Sequence, residues 1–128
     1  MGNGTSIGRV RGLGPAHHGA HHWMVQRFTA IGNLVGMLFL VVSFVLLPNF
    51  EYATVSEWVS SPLPALVIGL LIVSVFWHAR LGLQVLMEDY VDNSANRFAL
   101  LAVLNVAAFG GAAFGLLCIV RLALGGTA

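Results

Sequence analysis

The sequence predicts an all-α membrane protein: three transmembrane helices in an up-down-up bundle, behind a short N-terminal tail. Three observations carry this. Of the 128 residues 58% are hydrophobic and only 9% charged, with no lysine, where a soluble domain carries about 25% charge. Such a chain cannot cover a globule with charge, so water is not its main solvent. The apolar residues fall into three runs, each near the ~20 residues that a helix rising 1.5 Å per residue needs to cross roughly 30 Å of hydrocarbon. None of the runs alternates polar and apolar residues at period two, which argues against membrane strands.

Residues 1–22 are rich in Gly and His and hold no apolar core. They read as a flexible cytoplasmic tail before a single membrane domain, residues 23–128. They lack the apolar centre of a cleavable secretory signal, so the first span is expected to stay as a permanent anchor. Arg9 and Arg11 without any acid leave organelle targeting as the alternative. The first span, residues 28–47, is uncharged. The connection after it, Pro48 to Pro62, holds Glu51 and Glu57 and no basic residue. The second span, residues 63–90, is apolar apart from His78 and Arg80 until Glu88-Asp89-Tyr90 closes it. The next connection, to Arg97, carries Asp92, Asn93, Ser94 and Asn96, all good turn and capping residues. The third span, residues 98–121, is uncharged until Arg121.

Arg9, Arg11 and Arg27 precede the first span and Arg97 follows the second. The positive-inside rule therefore puts the N-terminus and the end of the second span in the cytoplasm, with Arg121 counting mildly against this. Trp23, Tyr52 and Trp58 suit the interfacial aromatic belt. No basic run tracks phosphates, so nucleic acid is excluded as a partner. Cys118 is expected as a small apolar core residue. In lipid, helices associate through small residues and polar contacts. Gly32 and Gly36 on the first span, and Ala107, Gly111 and Gly115 on the third, mark where backbones can approach. Three helices bury little alone, which points to further membrane subunits.

Ionisable groups inside a span are costly and usually functional. His78 has three readings: a neutral histidine hydrogen-bonded in the bundle, a proton relay, or a haem ligand through neutral imidazole. At about 100° per residue, Ser74, Gly82 and Asp89 return to the face of His78. Asp89 lies about 16 Å further along the axis, and Tyr90 is rotated about 120° from His78. The Gly82 position leaves room beside His78 for a flat group. Arg80 either pairs with an anionic ligand group or snorkels to the interface. Glu88, Asp89 and Asp92 oppose the helix macrodipole, so propensity does not explain them, although a solvated helix end does.

These residues also carry a resemblance. The run His78-x-Arg80-Leu81-Gly82-x-Gln84-x-x-x-Glu88-Asp89-Tyr90-Val91 resembles the signature of the D-type membrane anchors of succinate dehydrogenase (respiratory complex II). In that pattern a histidine is followed by ten residues and then Asp-Tyr. His22-Trp23-x-x-Gln26-Arg27-x-Thr29-Ala30 is similar to the family's motif before the first span. Arg97, seven residues after Tyr90, and Ser74, four before His78, also match. The resemblance runs from Trp23 to Arg97 and has an alphaproteobacterial character; the third span fits by hydropathy only.

The resemblance implies a non-catalytic anchor subunit in the bacterial cytoplasmic (inner) membrane, serving the respiratory chain and the tricarboxylic acid cycle. It implies pairing with a C-type cytochrome b anchor, with one haem b held between a histidine of each chain; His78 is this chain's ligand. The iron–sulfur and flavoprotein subunits dock on the cytoplasmic face, and electrons from succinate reach ubiquinone there. Tyr90 hydrogen-bonds a quinone carbonyl, and Asp89 shapes that site. Arg80, Ser74 and Arg27 are the candidate haem-propionate or quinone contacts, with interfacial anchoring the other reading of Arg27. The run His17-His18-Gly19-Ala20-His21-His22 is denser in histidine than the family pattern; it is read as solvated tail, with adventitious metal binding as the alternative. Two further hypotheses stand beside the leading one. One is a haem-free or haem-containing anchor of a quinol:fumarate reductase. The other is a proton-coupled transporter using His78 and Asp89, disfavoured by the absence of internal repeats and paired broken helices.

Overall fold

The structure, a computed structural model, describes residues 16–125, with side chains from Ala20 onward. Among the described residues four helices follow one another: α1 (Ala16–Leu46), α2 (Tyr52–Ser60), α3 (Pro62–Tyr90) and α4 (Ser94–Ala123). No strand occurs among the described residues. Ala20–Leu46 of α1 and the whole of α3 and α4 are long and apolar enough to cross a membrane. With 31, 29 and 30 residues, these helices are each about 45 Å long. That exceeds the roughly 30 Å of hydrocarbon, so each is long enough to reach past the core.

Two stretches are more helical than the sequence reading expects. α1 starts at Ala16 rather than at Phe28, so residues 16–22 of the expected tail are helical. Extending an existing helix costs far less than nucleating one, and this stretch holds no proline. Residues 1–15 of that tail lie outside the described residues. The connection from Pro48 to Pro62 holds the short helix α2. Its Val55, Trp58 and Val59 are half-buried, three to four residues apart as an amphipathic helix requires. Trp58 stacks on Phe39 at 6.4 Å and tilts against Phe44 at 5.3 Å, which in turn meets Phe50. This aromatic cluster ties α2 to the end of α1.

The breaks between helices are local. Pro48 stops α1, lacking an N–H and crowding the preceding turn. Ser61 sits in extended backbone between α2 and α3, its N–H closing α2 on Glu57 O and Trp58 O, and Pro62 opens α3 at a first-turn position where the missing N–H costs nothing. Asn93 caps α4, its Oδ1 accepting from the N–H groups of Ala95 and Asn96 at 2.9 and 3.1 Å.

The three long helices form a row with α3 in the middle. α3 packs against both α1 and α4, and α1 and α4 do not meet. A row buries little: among the described residues the buried apolar side chains are Pro64, Leu71, Leu81 and Ala108. Large residues such as Leu34, Val106 and Phe114 remain at least two-thirds exposed, as lipid-facing or partner-facing surface would be. Cys118, expected in the packed interior, is exposed, because its side of α4 has no helix against it.

The four glycines mark the seams as expected, whereas Ala107, expected with them, is exposed and its neighbour Ala108 is buried instead. A Cβ on Gly36 would come within 2.8 Å of Leu71 Cδ1, and one on Gly32 within 3.2 Å of Ser74 Oγ. On the other seam a Cβ on Gly111 would overlap the Phe76 ring, and one on Gly115 would press on Ile72. Gly110, next along the chain, faces open space. Gly111→Ala is therefore expected to lower stability by about 1–3 kcal/mol through overpacking, whereas Gly110→Ala leaves it unchanged or slightly raised. Thermal melts of the two purified variants, compared side by side, check this.

Candidate functional site

The site is built on the α1–α3 seam. Ser74, His78 and Gly82, four residues apart on α3, face α1 and meet Gly32, Thr29 and Gln26. His78 Nδ1 lies 3.0 Å from Thr29 Oγ1, and His78 Nε2 lies 3.4 Å from Gln26 Nε2. The Thr29 hydroxyl donates to the carbonyls of Val25 and Gln26 within its own helix, at 2.9 and 3.1 Å. Ser74 Oγ donates to Thr29 O at 3.1 Å. A Cβ on Gly82 would sit 3.5 Å from the Gln26 amide nitrogen. The stripe expected on α3 is thus present, and its occupant within this chain is α1.

On the α1 side of the seam, His22, Gln26 and Thr29 belong to the motif noted before the first span but carried no site role in the sequence, and Asn33 was missed. His22, Gln26, Thr29 and Asn33 are spaced four, three and four residues apart, which lines them along one helix face. Their polar spacing within an otherwise apolar span is the signal that would have found them. Three atoms of this stripe are buried without a hydrogen-bond partner: His22 Nε2, Gln26 Oε1 and Asn33 Oδ1. Leaving a buried polar atom unpaired costs about 1–3 kcal/mol each, so hydrogen-bonding capacity along this face is unmet within the chain. His21 is exposed, His17 and His18 have side chains outside the described set, and no group of three potential metal-binding residues occurs among the described residues.

Arg80 turns the other way. Its Nε donates to Asn105 Oδ1 on α4, and Asn105 Nδ2 donates to Leu101 O at 2.8 Å. The guanidinium lies 5.6 Å from the Trp77 ring centroid and 5.8 Å from that of Phe109, within cation–π range. It thus joins α3 to α4, and it is not part of the His78 group. A half-buried charge within a membrane span still needs a partner, so Asn105→Leu is expected to destabilise the α3–α4 pair by about 1.5–3 kcal/mol, the usual cost of losing a hydrogen bond to a charged group. A melt of the variant in detergent measures it. Arg27 also stands apart: it is exposed and lies 5.3 Å from the ring centroid of Trp23, one turn back on α1.

Asp89 and Tyr90 close α3 and are exposed, the phenol at 80%. Gln84 Nε2 donates to Glu88 Oε1 at 2.8 Å, and Val91 N–H ends the helix on Met87 O. The eleven-residue separation puts Asp89 about 16 Å along the axis from His78, so these residues form a second station on the same helix. An exposed phenol at a helix end can donate one hydrogen bond without burying a charge.

The family model for the succinate dehydrogenase/fumarate reductase transmembrane subunit matches residues 1–114 of this chain. The chain is 28% identical over 116 residues to the succinate dehydrogenase hydrophobic membrane anchor subunit of Rickettsia bellii, covering 86% of this chain and 93% of that protein. It is 26% identical to the Rickettsia conorii protein of the same name, covering 80% and 82%, and 28% identical to that of Coxiella burnetii, covering 66% and 74%.

Proposed function

This chain belongs to the succinate dehydrogenase/fumarate reductase transmembrane subunit family, and we propose that it is the anchor of a succinate:ubiquinone oxidoreductase, supplying one axial ligand to a haem b and part of a ubiquinone site. It is a multi-pass membrane protein and a membrane anchor subunit. The cytoplasmic N-terminus rests on the arginine distribution, and the bacterial inner membrane on the similarity to bacterial anchor subunits. The observation that carries the reading is the position of His78: an imidazole within a membrane span, one turn from Ser74 and eleven residues before Asp89, with one ring nitrogen on a hydroxyl and the other against a weakly held amide.

The residues present suit a haem. An axial histidine offers one ring nitrogen and anchors the other on an outer hydrogen bond, and Thr29 supplies such an anchor at Nδ1. Gln26, whose amide meets Nε2 at the long distance of 3.4 Å and whose Oε1 is orphaned, is poorly held where it stands. A haem b held by His78 would supply a one-electron carrier within the hydrocarbon. At the other station, Tyr90 donates a hydrogen bond to a quinone carbonyl. That bond strengthens as reduction places negative charge on the oxygen, which is stabilisation where charge develops. Asp89, one residue before it, shapes the site. The unpaired polar stripe and the exposed apolar faces of the row suit a second anchor chain, the C-type cytochrome b subunit. The exposed Asp89–Tyr90 end suits the iron–sulfur subunit, which carries the flavoprotein.

Purification in mild detergent tests this. A flavoprotein, an iron–sulfur protein and a second small hydrophobic chain should copurify, and dithionite reduction should reveal a b-type difference spectrum. Recovery of the chain alone, without haem, overturns the proposal. The family includes fumarate reductases, so membranes are also assayed in both directions: succinate-driven quinone reduction faster than quinol-driven fumarate reduction supports the stated direction, and the reverse makes the chain a quinol:fumarate reductase anchor.

A further inference from the structure

The two ring contacts of His78 agree on one tautomer. The Thr29 hydroxyl proton is committed to the carbonyls of Val25 and Gln26, at 2.9 and 3.1 Å, the back-bonding usual for Thr inside a helix. Its oxygen therefore faces Nδ1, 3.0 Å away, as an acceptor, and Nδ1 carries the ring proton. Independently, the Gln26 amide nitrogen can only donate, so Nε2, 3.4 Å away, is the acceptor with the free electron pair. An amide turned the other way would need a proton on Nε2: as the opposite neutral tautomer the ring would leave Nδ1 facing a hydroxyl whose proton is already used, and as an imidazolium it would carry a charge inside the span and offer no electron pair to a ligand. Ser74 Oγ holds the same turn of α1 by donating to Thr29 O, which keeps the Thr29 backbone against α3 beside the ring.

We infer that Thr29 is a positioning residue for His78: its hydroxyl oxygen fixes the ring in the Nδ1–H form and presents Nε2 as the ligating atom, while Gln26 holds that atom's place until a ligand displaces it. The inference rests on the haem reading of His78. The placeholder is suited to leave, since its hydrogen bond is long and bonds weaken with such stretching. Hydrogen bonding to Nδ1–H also raises the basicity of the opposite nitrogen.

The test uses the purified whole complex carrying Thr29→Val, which removes the hydroxyl at nearly constant volume, beside Thr29→Ser, which keeps it. The readouts are haem content per flavin after detergent washing, the haem midpoint potential and the low-spin electron paramagnetic resonance signal. Thr29→Val should retain haem on the order of 10–100-fold more weakly, the usual effect of losing an outer hydrogen bond, and should shift the potential and the resonance signal, while Thr29→Ser matches the parent. Should Thr29→Val fail to assemble, Thr29→Ala gives the same comparison. Parent-like haem content, potential and signal in the variant lacking the hydroxyl overturn the inference. A His78→Ala control separates the two layers: if it loses the haem while Thr29→Val is unchanged, only the role of Thr29 fails, and if it keeps an unchanged haem spectrum, the ligand reading fails with it.

Discussion

His78→Ala is expected to abolish the haem absorption of the purified complex while the partner subunits still copurify. No other histidine lies on α3 or α4; the remaining four lie in the stretch from His17 to His22. Loss of the ligand itself should exceed the roughly 10–100-fold penalty for loss of an outer-shell partner. The variant also strands the Thr29 and Gln26 groups that meet the ring, at about 1–3 kcal/mol each if they stay dry. Assembly is therefore measured separately, by recovery of all chains. His78→Gln, which restores a hydrogen-bonding side chain without an imidazole, should recover assembly and not the haem. A reduced-minus-oxidised spectrum identical to the parent's in His78→Ala would remove this residue from the ligand role.

Tyr90→Phe is expected to lower quinone reduction on the order of 100-fold while leaving the haem spectrum and the melting temperature unchanged. The magnitude is that of removing one donor aimed at an oxygen where charge develops. The selectivity follows from position: the phenol is 80% exposed at the end of α3, so its hydroxyl contributes nothing to packing within the chain. It is also about 18 Å along the helix axis from His78, twelve residues at 1.5 Å each. Steady-state assays with a water-soluble quinone check the rate, and difference spectra of the same samples check the haem. An unchanged turnover places Tyr90 outside the quinone contact.

The α3 side of the site was readable because helical periodicity is a local property. Ser74, His78 and Gly82 share a face in any α-helix, and in the structure that face meets Gly32, Thr29 and Gln26. Arg80 shows the limit of the same reasoning. Two residues from His78, it is turned well around the helix, and whether that direction ends at a ligand, an interface or another helix depends on what lies there. In the structure it is Asn105, twenty-five residues away. Nothing in the sequence near Arg80 names that partner, and an asparagine in an apolar run reads as an isolated polar residue until the two helices are aligned. Helix α2 was hidden for another reason: nine residues with Ser, Thr and Glu look like a loop, and their helix is stabilised by Trp58 against Phe39 and Phe44, contacts that only the fold supplies.

From composition and pattern alone the chain is a membrane protein with three helical spans, close contacts at Gly32, Gly36, Gly111 and Gly115, and an ionisable face on the second span. These follow from the cost of charge and unpaired backbone in hydrocarbon, which acts on each segment separately. The tertiary structure decided that α3 stands between α1 and α4, that His78 meets Thr29 and Gln26, and that Arg80 meets Asn105 instead. Lipid is as apolar as the helices' own side chains, so no hydrophobic gradient tells one span which neighbour to choose; that choice comes from the fit of small residues and from pairing of the few polar groups, both of which exist only once two helices are side by side.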